Sequence, residues 1–106
     1  MVRLISVEES KDVFGWGLEK LVILDVNGKQ LSVYIGGKVL RDELDNLAKQ
    51  DFRVFKVNDV KVIDLPKGYG IWITDKKVLW ITYNISRDDV KAVVEFFIEN
   101  KDKLLD

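Results

Sequence analysis

Residues 21–35, Leu-Val-Ile-Leu-Asp-Val-Asn-Gly-Lys-Gln-Leu-Ser-Val-Tyr-Ile, constrain the fold more than any other stretch of the chain. Asn27 and Gly28 are the residue types that accept positive φ at both central positions of a type I′ turn, and β-branched runs flank them. Such a turn fixes the register. Leu24 faces Leu31 and Val22 faces Val33 on one apolar face, while Asp25–Gln30, Ile23–Ser32 and Leu21–Tyr34 make the other face mixed. A second hairpin is predicted over residues 69–83. With Asp75-Lys76 as its tip, Ile71–Trp80 and Ile73–Val78 share one face and Trp72–Leu79 lies on the opposite one. That hairpin is apolar on both sides.

The clearest helix is C-terminal. Ser86 caps it, Asp88 and Asp89 suit the positive end of its dipole, and Val90, Val93, Val94, Phe97, Ile98, Leu104 and Leu105 form one stripe. Its other face, with Lys91, Glu95, Glu99 and Lys103, reads as solvated pairs. A shorter helix is predicted over about residues 38–50, burying Leu40, Leu44, Leu47 and Ala48. Strands are expected at 2–7, 52–57 and 60–65, the last two joined at Asn58-Asp59.

The resulting order, β-ββ-α-ββ-ββ-α, predicts an α+β fold: an antiparallel sheet of about six or seven strands with two helices on one face. In both halves a hairpin ending in Tyr (Tyr34, Tyr83) leads into a helix. The two halves share few residues, so convergence on a common unit is preferred to an internal ββα duplication. Seven strands and a terminal helix also resemble the element count of a pleckstrin-homology-like barrel. A helix after the third strand does not suit that alternative. No family motif is matched.

At 106 residues, with 17 basic and 18 acidic side chains, the chain is expected to form a single domain, 1–106. Its 47% hydrophobic composition argues against disorder. The absence of Cys and His removes disulfides, thiolate metal sites, thiol nucleophiles and imidazole bases together. No segment has the roughly 18 uninterrupted apolar residues of a membrane span, and the start turns acidic at Glu8-Glu9, unlike a signal peptide. The expectation is a cytoplasmic protein with no membrane association. Lys at 13 against Arg at 4 gives a composition of thermophilic character, although Asp outnumbers Glu by 12 to 6.

Catalytic constellations are sparse. No Ser-x-x-Lys or Gly-x-Ser-x-Gly spacing occurs, so no catalytic residue is assigned. Asp42 and Asp45 could hold Mg²⁺ as a carboxylate-dependent enzyme would, but acidic residues near a helix N-terminus are explained by its dipole. This remains a remote alternative, with no metal or other cofactor expected. Gly36-Gly37-Lys38 lacks the Walker spacing and reads as a tight strand-to-helix turn.

Residues 49–80 carry a local excess of positive charge together with Phe52, Phe55, Tyr69, Trp72 and Trp80. Single-strand nucleic-acid binders combine stacking rings with a basic groove, so Tyr69, Trp72, Lys67, Lys76 and Lys77 are the candidate residues for that alternative. The leading expectation rests on apolar surface. If both helices cover one sheet face, either the sheet curls on itself, as in a barrel or sandwich, or Trp72, Leu79 and Ile81 on the other face need a second subunit or a partner protein. Those three residues, with Trp16 on the Phe14-Gly-Trp16-Gly17 turn, are the expected contact patch. The function so read is a small non-enzymatic interaction module, acting as a homodimer or with another protein.

Overall fold

The structure, a computed structural model, describes residues 1–12 and 14–106. Its strands are β1 (Val2–Glu9), β2 (Leu18–Val26), β3 (Lys29–Gly36), β4 (Val54–Val57), β5 (Val60–Leu65), β6 (Gly68–Trp72) and β7 (Val78–Ile81). The helices are α1 (Lys38–Ala48), α2 (Arg87–Glu99) and a short α3 (Lys101–Leu104). None is long and apolar enough to cross a membrane. The strands form one antiparallel sheet in the order β1-β2-β3-β7-β6-β5-β4. Two meanders thus meet at the central pair β3–β7, and β1 and β4 are the two edges. The fold is α+β as expected. Because β1 and β4 stand at opposite ends of the sheet, it is open and not a closed barrel.

The Asn27-Gly28 turn forms as predicted, with φ of 52° and 88°. Val22↔Val33 and Leu24↔Leu31 pair across it. Asn58 and Asp59 likewise both take positive φ, 49° and 64°, and turn β4 into β5. The β2–β3 turn also anchors α2: Asn27 Nδ2 donates to Asp89 Oδ1 at 3.2 Å. Ser86 caps that helix, its hydroxyl accepting from the Asp89 N–H at 3.1 Å. Beside the same turn, the Arg3 guanidinium and then the Gly28 N–H hold the Asp25 carboxyl below its ordinary pKa.

Two expectations are corrected. The first concerns the second hairpin, which pairs Ile71↔Leu79, Gly70↔Trp80 and Tyr69↔Ile81. The tip closes around Thr74, whose N–H donates to the Lys77 carbonyl at 3.1 Å and whose hydroxyl accepts from the Lys77 N–H at 3.0 Å. The resulting one-residue shift exchanges the faces of the returning strand. Trp80 and Val78 join Trp72 on one side, and Leu79 and Ile81 join Ile71 on the other.

The second concerns the helices, which lie on opposite faces. One cluster unites α2 and α3 with Val22, Leu24, Val33, Ile71, Leu79 and Ile81. The other unites α1 with Leu18, Ile63 and Val78. A crossover from β3 to the far edge strand β4 must pass over one face, and α2, which follows β7, takes the other. A hairpin apolar on both sides is therefore explained within one chain. The helix placement also argues against a duplicated unit. A twofold relating two antiparallel strands stands perpendicular to the sheet and would put both helices on one face.

Candidate functional site

On the α1 side, the registers align Glu8, Leu21, Tyr34, Trp80, Gly70 and Ile63 in one row across six strands. α1 covers only the far part of this row. Two glycines let it settle there. A Cβ on Gly70 would stand 2.5 Å from Leu44 Cδ2, and one on Gly36 would stand 2.8 Å from Leu40 Cβ. Arg41 holds the helix over the β6–β7 turn, its guanidinium donating to the Thr74 carbonyl at 2.6 Å. Leu21, Ile23, Tyr34 and Trp80, nearer β1, keep part of their surface in water.

The loop before β2 folds over this uncovered part. Asp12 fixes it: its carboxylate accepts from the N–H groups of Trp16 and Gly17 at 2.9 Å each, and of Leu18 at 3.3 Å. The Trp16 ring then lies 4.7 Å from Trp80, centroid to centroid, and Phe14 lies 5.6 Å from Trp16 and 5.9 Å from Trp80. Tyr34 completes the group at 5.5 Å from Trp80. The rings are tilted or edge-on, the arrangements that aromatic quadrupoles favour. Phe14 remains 55% exposed, and Val39, at the start of α1, is 52% exposed beside Gly17. Phe14, Trp16, Tyr34 and Trp80 with Leu21 and Ile23 form an aromatic platform, rimmed at its β1 end by Glu8.

Of the residues expected to make contact, Trp16 stands on this platform. Trp72 shares the α1 side but lies beyond the helix. Its indole N–H donates to Asp45 Oδ1 at 2.9 Å, and Lys61 Nζ sits 4.4 Å from its ring centroid. Leu79 and Ile81 are both 0% exposed in the α2 core. They share no surface with Trp72, because the register shift turns them to the other face.

The nucleic-acid set is also dispersed. Tyr69 is 8% exposed, and its hydroxyl donates to the Ile85 carbonyl at 2.8 Å. Burial, and next the negative charge of Asp64, push its phenol pKa up, with Arg87 acting in the opposite sense. Lys67 lies at one end of β6 and Lys76-Lys77 beyond the other, and Lys77 is ion-paired with Glu19. The carboxylate pair separates as well. Asp42 bonds Lys38 Nζ at 2.8 Å, raising the lysine pKa, while Asp45 accepts from Trp72. Among the described residues, no group of three acidic side chains is placed to hold a metal ion.

Phe14, Tyr34 and Trp80 were not in the expected patch. The Leu21–Tyr34 pairing that places Tyr34 there was readable from the Asn-Gly turn, whereas Trp80 needed the register of the second hairpin. Comparison with protein-family models, with curated proteins and with solved structures returned no match.

Proposed function

We propose that this protein is a small non-enzymatic interaction module, homodimeric, that engages another protein through the aromatic platform. One observation carries the reading: four rings gather on the part of the sheet that α1 leaves open, and the outermost, Phe14, is more than half exposed. A contiguous, partly exposed apolar patch with a polar rim is the usual mark of a contact surface. Trp and Tyr supply large, stiff contact area at modest entropic cost and are the residues enriched among binding hot spots. The hydrogen-bonding edges of Tyr34 and Trp80 tolerate water when the surface is free.

Cross-linking capture followed by mass spectrometry tests this. The wild-type chain is compared with Phe14→Ser/Tyr34→Ser and with a control altered outside the platform, Ile98→Ser. Cross-linked partners retained by the control and lost by the double variant support the platform. Partners lost equally by both variants count against it. A parallel titration with a mixed-sequence single-stranded oligonucleotide follows Trp fluorescence at low salt. Quenching that added salt reverses would move the reading to nucleic acid.

A further inference from the structure

We propose that two copies of the chain join through strand β1, pairing antiparallel about a twofold axis so that their sheets become one. The inference rests on the reading above and deepens it by naming one partner, a second copy, and its place of contact.

β1 is an edge strand whose only sheet neighbour among the described residues is β2. At its two ends, the Asn27 N–H donates to the Met1 carbonyl at 3.0 Å and the Ser10 N–H to the Glu19 carbonyl at 3.1 Å. Antiparallel ladders alternate between pairs that exchange hydrogen bonds and pairs that do not. Counting inward along the register from both ends, the backbone groups of Val2, Leu4, Val7 and Glu9 point away from β2. They are free to pair with another strand. The other edge, β4, has only four residues and presents Lys56 opposite Lys61. β1 has eight residues, without Pro or Lys, and leaves Ile5 51% and Val7 43% exposed. Short strands and lysines are common protections of an edge, and β1 has neither; its protections are a bulge and the charges of Arg3, Glu8 and Glu9, which a partner strand has to match.

The register shift between Leu4 and Ser6 decides how such pairing could run. On a regular strand, residues 3 and 8 would point to opposite faces. Past the shift they point to the same one: Arg3 pairs with Asp25 and Glu8 with Leu21, both on the α1 side. Val2, Leu4, Val7 and Glu9 lie on the α2 side. A twofold pairing has to match outward backbone with outward backbone and face with face. Setting Leu4 opposite the partner's Val7 does both, and sets Val2 opposite the partner's Glu9. Arg3 then stands opposite the partner's Glu8, in a non-hydrogen-bonded pair whose Cα atoms lie about 4.5 Å apart. Its guanidinium already bonds Asp25 at 2.7 Å while its side chain is 69% exposed, so it can hold both carboxylates. A slip of one residue either way would oppose outward groups to inward ones and separate Arg3 from its counter-charge. The twofold stands perpendicular to the sheet, so both aromatic platforms face the same side.

Sedimentation equilibrium on the full chain tests the pairing. The expected result is the mass of two chains at micromolar protein. Val7→Pro removes an outward N–H and no bond to β2, and should halve that mass while the thermal transition stays cooperative. Glu8→Arg alone sets Arg against Arg3, and Arg3→Glu alone sets Glu against Glu8, so each should be monomeric. Mixed together, the two variants should form a one-to-one heterodimer, visible by native mass spectrometry. That experiment decides even if the proline variant fails to fold. A monomeric wild type, or a dimer that survives both charge reversals, overturns the proposal. A dimer lost in Phe14→Ser/Tyr34→Ser but kept in Val7→Pro also overturns it, while leaving the platform reading intact. Conversely, β1 pairing that survives alongside failed capture by the platform would remove that reading alone.

Discussion

The two faces of the sheet are similarly apolar but unequally covered. On the α2 side, Val22, Leu24, Val33, Ile71, Leu79 and Ile81 are sealed by Val90, Val93, Val94 and Phe97, with Leu104 of α3 and Leu105 just after it closing the corner. On the α1 side, Tyr34, Trp80 and Trp16 stay partly exposed. Geometry explains much of the difference. Eleven helical residues at about 1.5 Å each span roughly 16 Å, whereas seven strands spaced by about 4.8 Å span nearly 30 Å. A single short helix cannot cover such a face. The uncovered part is largely aromatic, and three of its four rings, Trp16, Tyr34 and Trp80, carry an O–H or N–H at the edge, where the sealed face is chiefly aliphatic. Covering is matched to residue type: the aliphatic face is sealed, and the more aromatic one keeps part of its surface in water.

The largest effect that separates the faces is expected at Phe97. Truncating this fully buried ring to Ala should cost about 3–5 kcal/mol in urea unfolding, from lost transfer energy and the cavity left behind. A cost under about 1 kcal/mol would mean that the α2 side is not the sealed core described.

Next comes the contact between α1 and the sheet. In Gly70→Ala, the added methyl would meet Leu44 at 2.5 Å and Ile63 Cγ2 at 2.8 Å. Overpacking of this kind costs about 1–3 kcal/mol. Adding Leu44→Ala to that variant should cost less than Leu44→Ala does in the wild type, because the two groups compete for one space. Strict additivity would show that the helix does not rest on Gly70.

How much of this was legible in the sequence depended on how local each determinant is. The Asn27-Gly28 turn encodes its own register through two positive-φ residues, and every pair read across it is present. The Ser86 cap and the Val90–Phe97 stripe are equally local. The second hairpin has no such turn pair. Its tip is set by Thr74 bonding to Lys77, a choice that nothing in Thr-Asp-Lys-Lys dictates, and one residue of slip moved Leu79, Trp80 and Ile81 to the wrong faces. The sides taken by the helices depend on the crossover to β4, which is a property of sheet order and not of any segment. The contact patch inherited both errors. Trp16 and Trp72 lie on the α1 side, whereas Leu79 and Ile81 are buried under α2 on the other.

A smaller effect, on the α2 side, comes from Tyr69. Burial raises its phenol pKa above the ordinary 10.0, so the neutral form is favoured in the folded chain. The sign follows from linkage: this contribution is complete below the unfolded pKa and is lost as pH rises through the folded one. Tyr69→Phe removes the bond to the Ile85 carbonyl and should cost about 0.5–1.5 kcal/mol at neutral pH. It should also flatten the alkaline fall in stability above the ordinary phenol pKa. An unchanged alkaline fall would assign that fall to other groups.

The smallest stability effect is expected where the proposed contact is strongest. Phe14 stands on a loop held by the Asp12 carboxylate through backbone N–H groups, so replacing its ring leaves those bonds in place. More than half of the ring is already in water, and its contacts are with the edges and faces of Trp16 and Trp80. Phe14→Ser should therefore change unfolding free energy by no more than about 0.5 kcal/mol, as surface substitutions do. Asp12→Ala should cost more, since three N–H groups lose their acceptor, and Trp fluorescence should shift as Trp16 leaves Trp80. If the two variants lose partner binding alike while only Asp12→Ala loosens the loop, the exposed ring makes the contact and the loop positions it. If Phe14→Ser instead destabilises the chain as much as Gly70→Ala does, Phe14 is a plug over the sheet, and the α1 face is closed after all.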